Sequence, residues 1–227
     1  MTLIIGARCS DGIVLAADRR RLSRYEKGPE TNKVFRLDCD VVLAGAGDDA
    51  VLNEARVLID RRVKEVKSES PSIKLFDIVE ITAGVVNELV SYYKDRVEEP
   101  FGYALSGLED IDHGNAKLYT VFGAGLSEVP WVCLGAGSSY ARPLLELLLA
   151  EGDLPVDEAS KVMAPLFTLV SNVQTTVGGG VDMYVVKDDQ RIGQFAHSKE
   201  VDLEGLRLGV LKAFGIQPSG YVSRTEK

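Results

Sequence analysis

The feature that most constrains the fold is a pair of short apolar runs at the start of the chain, joined by a hairpin turn. Residues 3–5 and 13–17 are apolar, and Asp11-Gly12 lies between them. An Asp-Gly pair between two such runs is a strong β-hairpin signal. Apolar residues on both sides of residues 38–40 predict a second hairpin in the same way. The chain therefore begins as an antiparallel sheet.

Apolar residues at helical intervals follow the second hairpin, and the pattern then returns to strands before it becomes helical again. Such runs of strands and runs of helices predict an α+β layered fold, without the βαβ alternation of a doubly wound parallel sheet. No linker-like stretch divides the order, so residues 1–227 are interpreted as one domain. The predicted segments are helices at 50–66, 73–93 (starting near residue 71), 140–150, 156–170 and 203–214, and strands at 103–106, 117–122, 130–134, 181–186 and 191–195.

Composition excludes several functional classes. The formal net charge is −8, so nucleic-acid phosphates would repel the chain, and its one basic cluster (Arg19, Arg20, Arg21 and Arg24) is interpreted as a solvated loop. Three cysteines and two histidines show no metal-ligand spacing. There is no apolar stretch of 18 residues and no signal-peptide pattern. We therefore expect a cytoplasmic protein without metal, cofactor or membrane contact.

The start of the chain carries the candidate chemistry. Thr2 follows Met1 directly, and removal of Met1 would place a hydroxyl beside an α-amine whose ordinary pKa of about 7.7–8.0 suits a general base. Asp18 ends the second strand and Lys33 precedes the next one, so both are candidates to orient and activate that hydroxyl. Gly47 lies at a predicted helix start, where its N–H would be placed to stabilise an oxyanion.

These residues belong to a series of segments in which the chain resembles β-type proteasome subunits. The resemblance covers residues 2 to about 195, and a closing helix and loose tail are expected at about 200–227. It implies the N-terminal-nucleophile (Ntn) hydrolase fold, a four-layer αββα sandwich of two antiparallel sheets between helix layers. The segments that carry it are residues 2–19, Asn32-Lys33-Val34-Phe35, residues 43–50, residues 117–119, residues 132–141 and Gly178 to Val185.

The resemblance also implies an activity and a working environment. It indicates a threonine-type peptidase that hydrolyses peptide or unfolded-protein substrates inside a homo-oligomeric ring, or a stack of rings. An ATPase partner and a second subunit type remain open. Neither a propeptide nor the extra helix of gate-forming α-type subunits is expected ahead of Thr2.

The roles of four residues follow from the resemblance. Thr2 would be the nucleophile and its α-amine the base, and Lys33 would tune the hydroxyl. Asp18 would pair with Lys33, and the Gly47 N–H would be the oxyanion donor. No metal or cofactor takes part in this scheme.

Three further positions would form the pocket for the side chain that precedes the cleaved bond. Gly45 would leave this pocket open, and Asp49 and Asn53 would line it. An open pocket that holds an unpaired Asp49 carboxylate predicts a preference for Arg or Lys, because an ion pair compensates desolvation.

The chain also departs from the family. Ala136 replaces a usual Ser, Thr175 stands near a common Asp, and Gly178 replaces a common Ser. The resemblance implies that those side chains support the terminal amine, so their absence bears on turnover. Two alternatives therefore remain open: a catalytically weak or inactive structural ring subunit of the same fold, and an Ntn amidase or peptide ligase with a narrow substrate range.

Overall fold

A computed structural model gives the fold of most of the chain. It describes residues 2–21, 28, 30–37, 40–70, 72–94, 101–109, 114–123, 125–150, 154–189 and 193–197. The strands are β1 (Ile4–Cys9), β2 (Gly12–Asp18), β3 (Val34–Arg36), β4 (Val41–Ala46), β5 (Gly102–Leu108), β6 (Ala116–Phe122), β7 (Gly125–Glu128), β8 (Trp131–Leu134), β9 (Val181–Lys187) and β10 (Gly193–His197). The helices are α1 (Asp49–Glu69), α2 (Leu75–Tyr93), α3 (Ser138–Ala150) and α4 (Val156–Val173).

The strands form two five-stranded antiparallel sheets, in the orders β10-β9-β2-β1-β8 and β3-β4-β5-β6-β7. The predicted first hairpin is confirmed: β1 pairs with β2 from Ile4↔Ala17 to Cys9↔Gly12. This hairpin occupies the middle of its sheet, and its register brings the first residues of the chain beside the end of β2. Residues 2 and 18 therefore lie at the same end of the same sheet.

The two sheets are stacked between two pairs of helices, which confirms the predicted αββα sandwich. Ile4 of β1 belongs to a cluster between the sheets, whereas Ile5 belongs to a cluster beneath α3 and α4. Alternate residues of a strand face opposite sides, so β1 is buried on both faces. On the other sheet, Val51, Ala55 and Ile59 of α1 are buried at helical intervals. Each large apolar side chain buried in these layers contributes roughly 1.5–3 kcal/mol.

Two details differ from the sequence prediction. Helix α2 begins at Leu75 rather than near residue 71, because the Asp77 carboxylate accepts a hydrogen bond from Lys74 N (2.8 Å) and closes the helix start there. Strand β7 was not predicted, because all four of its residues are exposed and show no alternation of apolar side chains.

The predicted helix at 203–214 and the tail lie outside the described residues, so the single-domain interpretation of residues 1–227 stays a prediction. Within the part of the chain that the structure describes, no helix is both long and apolar enough to cross a membrane.

Candidate active site

The Asp18 carboxylate is the centre of the candidate site. Its side chain lies at the end of β2 and is completely buried. One oxygen, Oδ1, accepts hydrogen bonds from the Leu3 amide (2.9 Å) and from Lys33 Nζ (3.0 Å). The other oxygen, Oδ2, accepts them from the amides of Gly178 (3.0 Å) and Arg20 (3.2 Å). Four donors from four segments therefore satisfy one buried carboxylate, as a buried charge requires.

Lys33 lies just before β3 and is only 5% exposed. Besides its bond to Asp18, its Nζ donates to the Arg20 carbonyl oxygen at 2.6 Å. Burial lowers the pKa of Lys33, although the Asp18 carboxylate opposes this change. Burial likewise raises the pKa of Asp18, against the effect of Lys33 and of the amides that donate to it. The site thus holds an ammonium that gives up its proton more readily than a lysine in water.

Thr2 is held from two sides and is 1% exposed. The next residue, Leu3, is fixed by its amide bond to Asp18. On the other side, the Thr2 carbonyl oxygen accepts a hydrogen bond from Gly137 N at 3.3 Å. Gly135 has φ +90°, and a Cβ there would lie 2.1 Å from the Thr2 oxygen. Only glycine fits this close approach, so the turn before α3 forms a cradle for residue 2.

Gly47 lies between β4 and α1, as the sequence predicted. The following residue, Asp48, is the N-cap of α1, and its carboxylate accepts bonds from Ala50 N (2.9 Å) and Val51 N (3.3 Å). A helix start carries amide groups without intrahelical partners and the positive end of the helix dipole. Gly47 therefore lies where the backbone favours a negative charge.

One pocket brings the three predicted substrate-binding positions together next to Lys33. Its lining is Arg21, Thr31, Asn32, Lys33, Phe35, Gly45, Asp49, Leu52, Asn53 and Tyr103. Gly45, Asp49 and Asn53 thus surround one pocket, and the candidate catalytic residue Lys33 is part of its lining.

Two expectations about this pocket are wrong. The Asp49 carboxylate is not unpaired, because Arg21 Nε lies 2.8 Å from its Oδ2. Gly45 does not leave the pocket open, because a Cβ at this position would lie 2.6 Å from Cε1 of Tyr103 and 2.9 Å from Cδ2 of Leu52. The Tyr103 ring therefore occupies the space beside Gly45. A preference for a basic substrate side chain requires a free carboxylate, so the paired Asp49 does not predict one.

Residues 19–21 of the basic cluster lie in a loop and are partly or largely exposed, as the sequence predicted, but their side chains also bind specific partners. Arg19 Nε donates to the buried carboxylate of Asp182 at 2.9 Å, and Arg21 binds Asp49. Arg20 Nη1 donates to the Thr175 carbonyl oxygen at 2.7 Å. Arg24 lies outside the described residues. Three successive arginines are thus tied to three different segments.

The three positions that depart from the family all lie beside the site. Ala136 is in the turn that cradles Thr2, and its carbonyl oxygen accepts a bond from Gln174 Nε2 (3.3 Å). Thr175 is exposed, and its carbonyl binds Arg20. Gly178 has φ +138° and donates its N–H to Asp18.

Metal-binding clusters and reactive thiols would be further sources of chemistry among the described residues. They contain no group of three or more His, Cys, Asp or Glu side chains placed to hold a metal ion. Cys9 and Cys133 are buried, and burial raises the pKa of each thiol to about 12. A thiol with such a pKa is protonated at neutral pH and is a poor nucleophile.

The two antiparallel sheets stacked between helix layers are the architecture of Ntn hydrolases. Residue 2 precedes Leu3, whose amide binds the buried Asp18 carboxylate. The family model described as proteasome subunit matches residues 2–186. The chain belongs to the proteasome subunit family, which confirms the resemblance at the level of the family.

Related sequences and solved structures agree with this assignment. A proteasome subunit alpha of Methanococcus maripaludis strain C5 is 30% identical over 203 residues, which cover 88% of this chain and 76% of the relative. A proteasome subunit alpha of Methanocaldococcus jannaschii is 29% identical over 191 residues, which cover 83% of this chain and 71% of the relative.

Two solved structures share the fold. A Gly-1 mutant of Anbu from Hyphomicrobium sp. strain MC1 has a TM-score of 0.74 and 18% identity, over 98% of this chain and 100% of that one. Anbu from Yersinia bercovieri, described as an ancestral beta-subunit, has a TM-score of 0.74 and 16% identity, over 97% of this chain and 100% of that one.

Proposed function

We propose that this chain is a threonine-type endopeptidase of the proteasome β-subunit kind, with Thr2 as the nucleophile after removal of Met1. The observation that carries the proposal is the shared oxygen of Asp18. The same Oδ1 atom accepts the Leu3 amide at 2.9 Å and Lys33 Nζ at 3.0 Å. This carboxylate therefore ties the residue after Thr2 to a buried ammonium.

The proposed reaction uses groups of three residues, Thr2, Lys33 and Gly47, which lie just before β1, β3 and α1. The Thr2 α-amine takes the proton of the Thr2 hydroxyl, and the oxygen attacks the substrate carbonyl to form a tetrahedral oxyanion. The Gly47 N–H stabilises this oxyanion, and the Lys33 ammonium stabilises the developing alkoxide. The α-amine then gives its proton to the leaving amine. Water hydrolyses the resulting ester and restores the hydroxyl.

A second candidate function is a structural ring subunit with little activity. Two observations favour it. The relatives at 29–30% identity are proteasome subunits named alpha, and Ala136, Thr175 and Gly178 carry none of the side chains expected there. In this alternative the Asp18–Lys33 pair is a structural remnant and Thr2 does not act as a nucleophile.

The proposed working environment follows from the family. Proteasome-family subunits form oligomeric rings, and we propose a homo-oligomeric ring or stacked rings in the cytoplasm. Peptides or unfolded proteins are the proposed substrates. An ATPase or a second subunit type would complete such a particle.

A covalent probe separates the two functions. Intact mass should show the loss of one methionine, and a peptide epoxyketone, which reacts with both the hydroxyl and the α-amine, should add once at Thr2. Thr2→Ala should abolish the addition, whereas Thr120→Ala, a change in β6 of the other sheet, should leave it intact. Labelling that persists in Thr2→Ala contradicts the assignment. Correctly processed protein that forms rings but takes no label supports the structural alternative.

A further inference from the structure

We propose that Arg20 is a positioning residue of this site, and that its guanidinium holds the turn at 175–178 in place of the side chains which the chain lacks there. This inference rests on the proposed function. It assigns a role to a side chain that the proposed reaction does not use. In this view the contacts of Arg20 replace those of the side chains that are absent at positions 175 and 178.

The first support is the fit between the guanidinium and Gly178. A Cβ at Gly178 would lie 2.7 Å from Nη2 and 2.8 Å from Cζ of Arg20, which is closer than such atoms approach. A side chain at 178 and the arginine in this position therefore exclude each other. The planar guanidinium lies where that side chain would begin, and Gly178 is the residue that admits it at φ +138°.

The second support is the hydrogen bond from Arg20 Nη1 to the Thr175 carbonyl oxygen, at 2.7 Å. The same guanidinium thus contacts both ends of the turn, one by packing and one by a charge-assisted bond. An arginine can do both at once because its donors spread in a fixed plane. A lysine has the charge but only a point contact.

The third support is the main chain of the same residue. Arg20 N donates to Gly178 O at 2.6 Å and to Asp18 Oδ2 at 3.2 Å, and its carbonyl accepts Lys33 Nζ at 2.6 Å. Arg20 therefore contacts both members of the buried ion pair as well as the turn. A movement of the turn therefore reaches the pair through the main chain of Arg20, in addition to the direct bond from Gly178 to Asp18.

The consequence concerns the donor that the turn supplies. Gly178 N–H donates to Asp18 Oδ2 at 3.0 Å, and the orientation of this N–H depends on the turn. Without the guanidinium, the main-chain contacts of Arg20 remain but the side-chain contacts that clamp the turn are gone. We expect Asp18 to lose a well-oriented donor, and Lys33 to lose its fixed position beside residue 2.

The experiment measures covalent labelling of assembled protein by the peptide epoxyketone over a range of probe concentrations. We expect Arg20→Ala to reduce the rate constant at saturating probe roughly 10-fold to 10²-fold, the scale of a small misplacement in an active site. The half-saturating concentration should stay within about 3-fold, because the substrate pocket is untouched. Methylguanidine added to Arg20→Ala should restore part of the rate, and Arg20→Lys should retain part of it. Arg61→Ala, which removes an exposed arginine of α1, should match the unmodified protein.

A second readout does not depend on activity. Amide hydrogen exchange should become faster in residues 174–180 of Arg20→Ala, whereas exchange in β1 and β6 should not change. If the unmodified protein takes no label, the proposed function fails and the role of Arg20 fails with it. If that protein is labelled and Arg20→Ala is labelled at the same saturating rate, only the role of Arg20 is overturned. Unchanged exchange at 174–180 overturns it as well.

Discussion

Lys33 Nζ lies 3.0 Å from Asp18 Oδ1, and neither side chain is more than 5% exposed. A buried ion pair is seldom a net source of stability, because each charge loses several kcal/mol of hydration. Here three backbone amides and one carbonyl complete the hydrogen bonding around the two charges. These hydrogen bonds keep the pair in place near Thr2. Removal of either partner would leave the other charge buried without its counter-ion, which lowers the free energy of unfolding.

The first prediction is that Lys33→Ala affects both activity and stability. Acylation at Thr2 should fall about 10²-fold or more, the scale of an acid–base contribution. The free energy of unfolding should fall by about 3–5 kcal/mol, because the Asp18 carboxylate is left buried without its counter-ion. Probe labelling and urea unfolding measure the two effects.

A double-mutant cycle provides the control for this prediction. Asp18→Asn combined with Lys33→Met should recover part of the lost stability but none of the activity. Lys117→Ala breaks an exposed pair with Glu128 and should cost about 1 kcal/mol or less. Acylation within a few-fold of the unmodified protein in Lys33→Ala would contradict the assigned role.

The second prediction concerns the Arg21–Asp49 pair, whose atoms Nε and Oδ2 are 2.8 Å apart in the pocket lining. With both charges paired, neither is free to select a charged substrate side chain. Arg21→Ala releases the Asp49 carboxylate and should shift the ratio of cleavage after Arg to cleavage after Leu by about 10-fold in favour of Arg, since 1.4 kcal/mol corresponds to tenfold. A panel of fluorogenic peptides measures this ratio.

The reverse change tests the same pair. Asp49→Ala releases Arg21 and should favour cleavage after Asp or Glu instead, whereas the double variant Arg21→Ala/Asp49→Ala should lose both preferences. If the peptide preferences of all three variants match those of the unmodified protein, the pair does not face the substrate.

Much of the fold could be predicted because its signals are local. The Asp11-Gly12 turn and the apolar runs around it set the register of β1 and β2, and helical spacing identified α1 and α2. Strand β7 was missed because an exposed edge strand has no buried face to mark in the sequence.

The site could be predicted only in part. Asp18 and Lys33 could be predicted because each lies at or next to the end of a strand. Once the strands are recognised in the sequence, the positions of these two residues in the fold follow. The partners Arg21 of Asp49 and Tyr103 of Gly45 were missed, because they come from segments 28 and 58 residues away in the sequence. The first contact depends on how the loop at Arg21 lies against α1, and the second depends on the pairing of β4 with β5. No local pattern encodes either of them. A run of arginines before a β-rich segment was the one available signal, and composition alone favoured a solvated loop.

The third prediction concerns Asp188, which joins the two sheets. Its carboxylate accepts two bonds from Arg8 of β1 (2.7 and 2.9 Å) and one from Ala116 N of β6 (2.9 Å). Burial alone would raise the pKa of Asp188, but the bonds from Arg8 and Ala116 outweigh it, so this pKa lies below its ordinary value of 3.8.

A carboxylate whose pKa is lowered by folding stabilises the protein above its unfolded pKa, and this contribution disappears as the pH falls through the folded pKa. Asp188→Asn should therefore lower the free energy of unfolding by about 1–2 kcal/mol at neutral pH. The difference should shrink in acid, as the pH falls below 3.8 and through the lowered folded pKa of Asp188, because the carboxylate is then protonated. Urea unfolding at neutral pH and in acid measures it. An equal cost at both would mean that charge plays no part.

The last prediction is assembly. Tyr140 and Leu147 of α3 are 48% and 44% exposed, and Val173 at the end of α4 is 60% exposed. Residues 140 and 147 are seven apart and so share one helix face, which leaves an apolar surface on the outer side of this helix layer. We expect this surface to be covered in a closed homo-oligomer of at least six subunits, about 150 kDa for chains of 24.7 kDa.

Light scattering at micromolar concentration measures this mass directly. Tyr140→Glu combined with Leu147→Glu should lower it, because two carboxylates would have to be desolvated at the contact. Ser127→Glu, which adds a charge on the exposed strand β7, should leave it unchanged. A mass near 25 kDa for the unmodified protein would contradict assembly. A full-sized particle in the double variant would place the contact on another face.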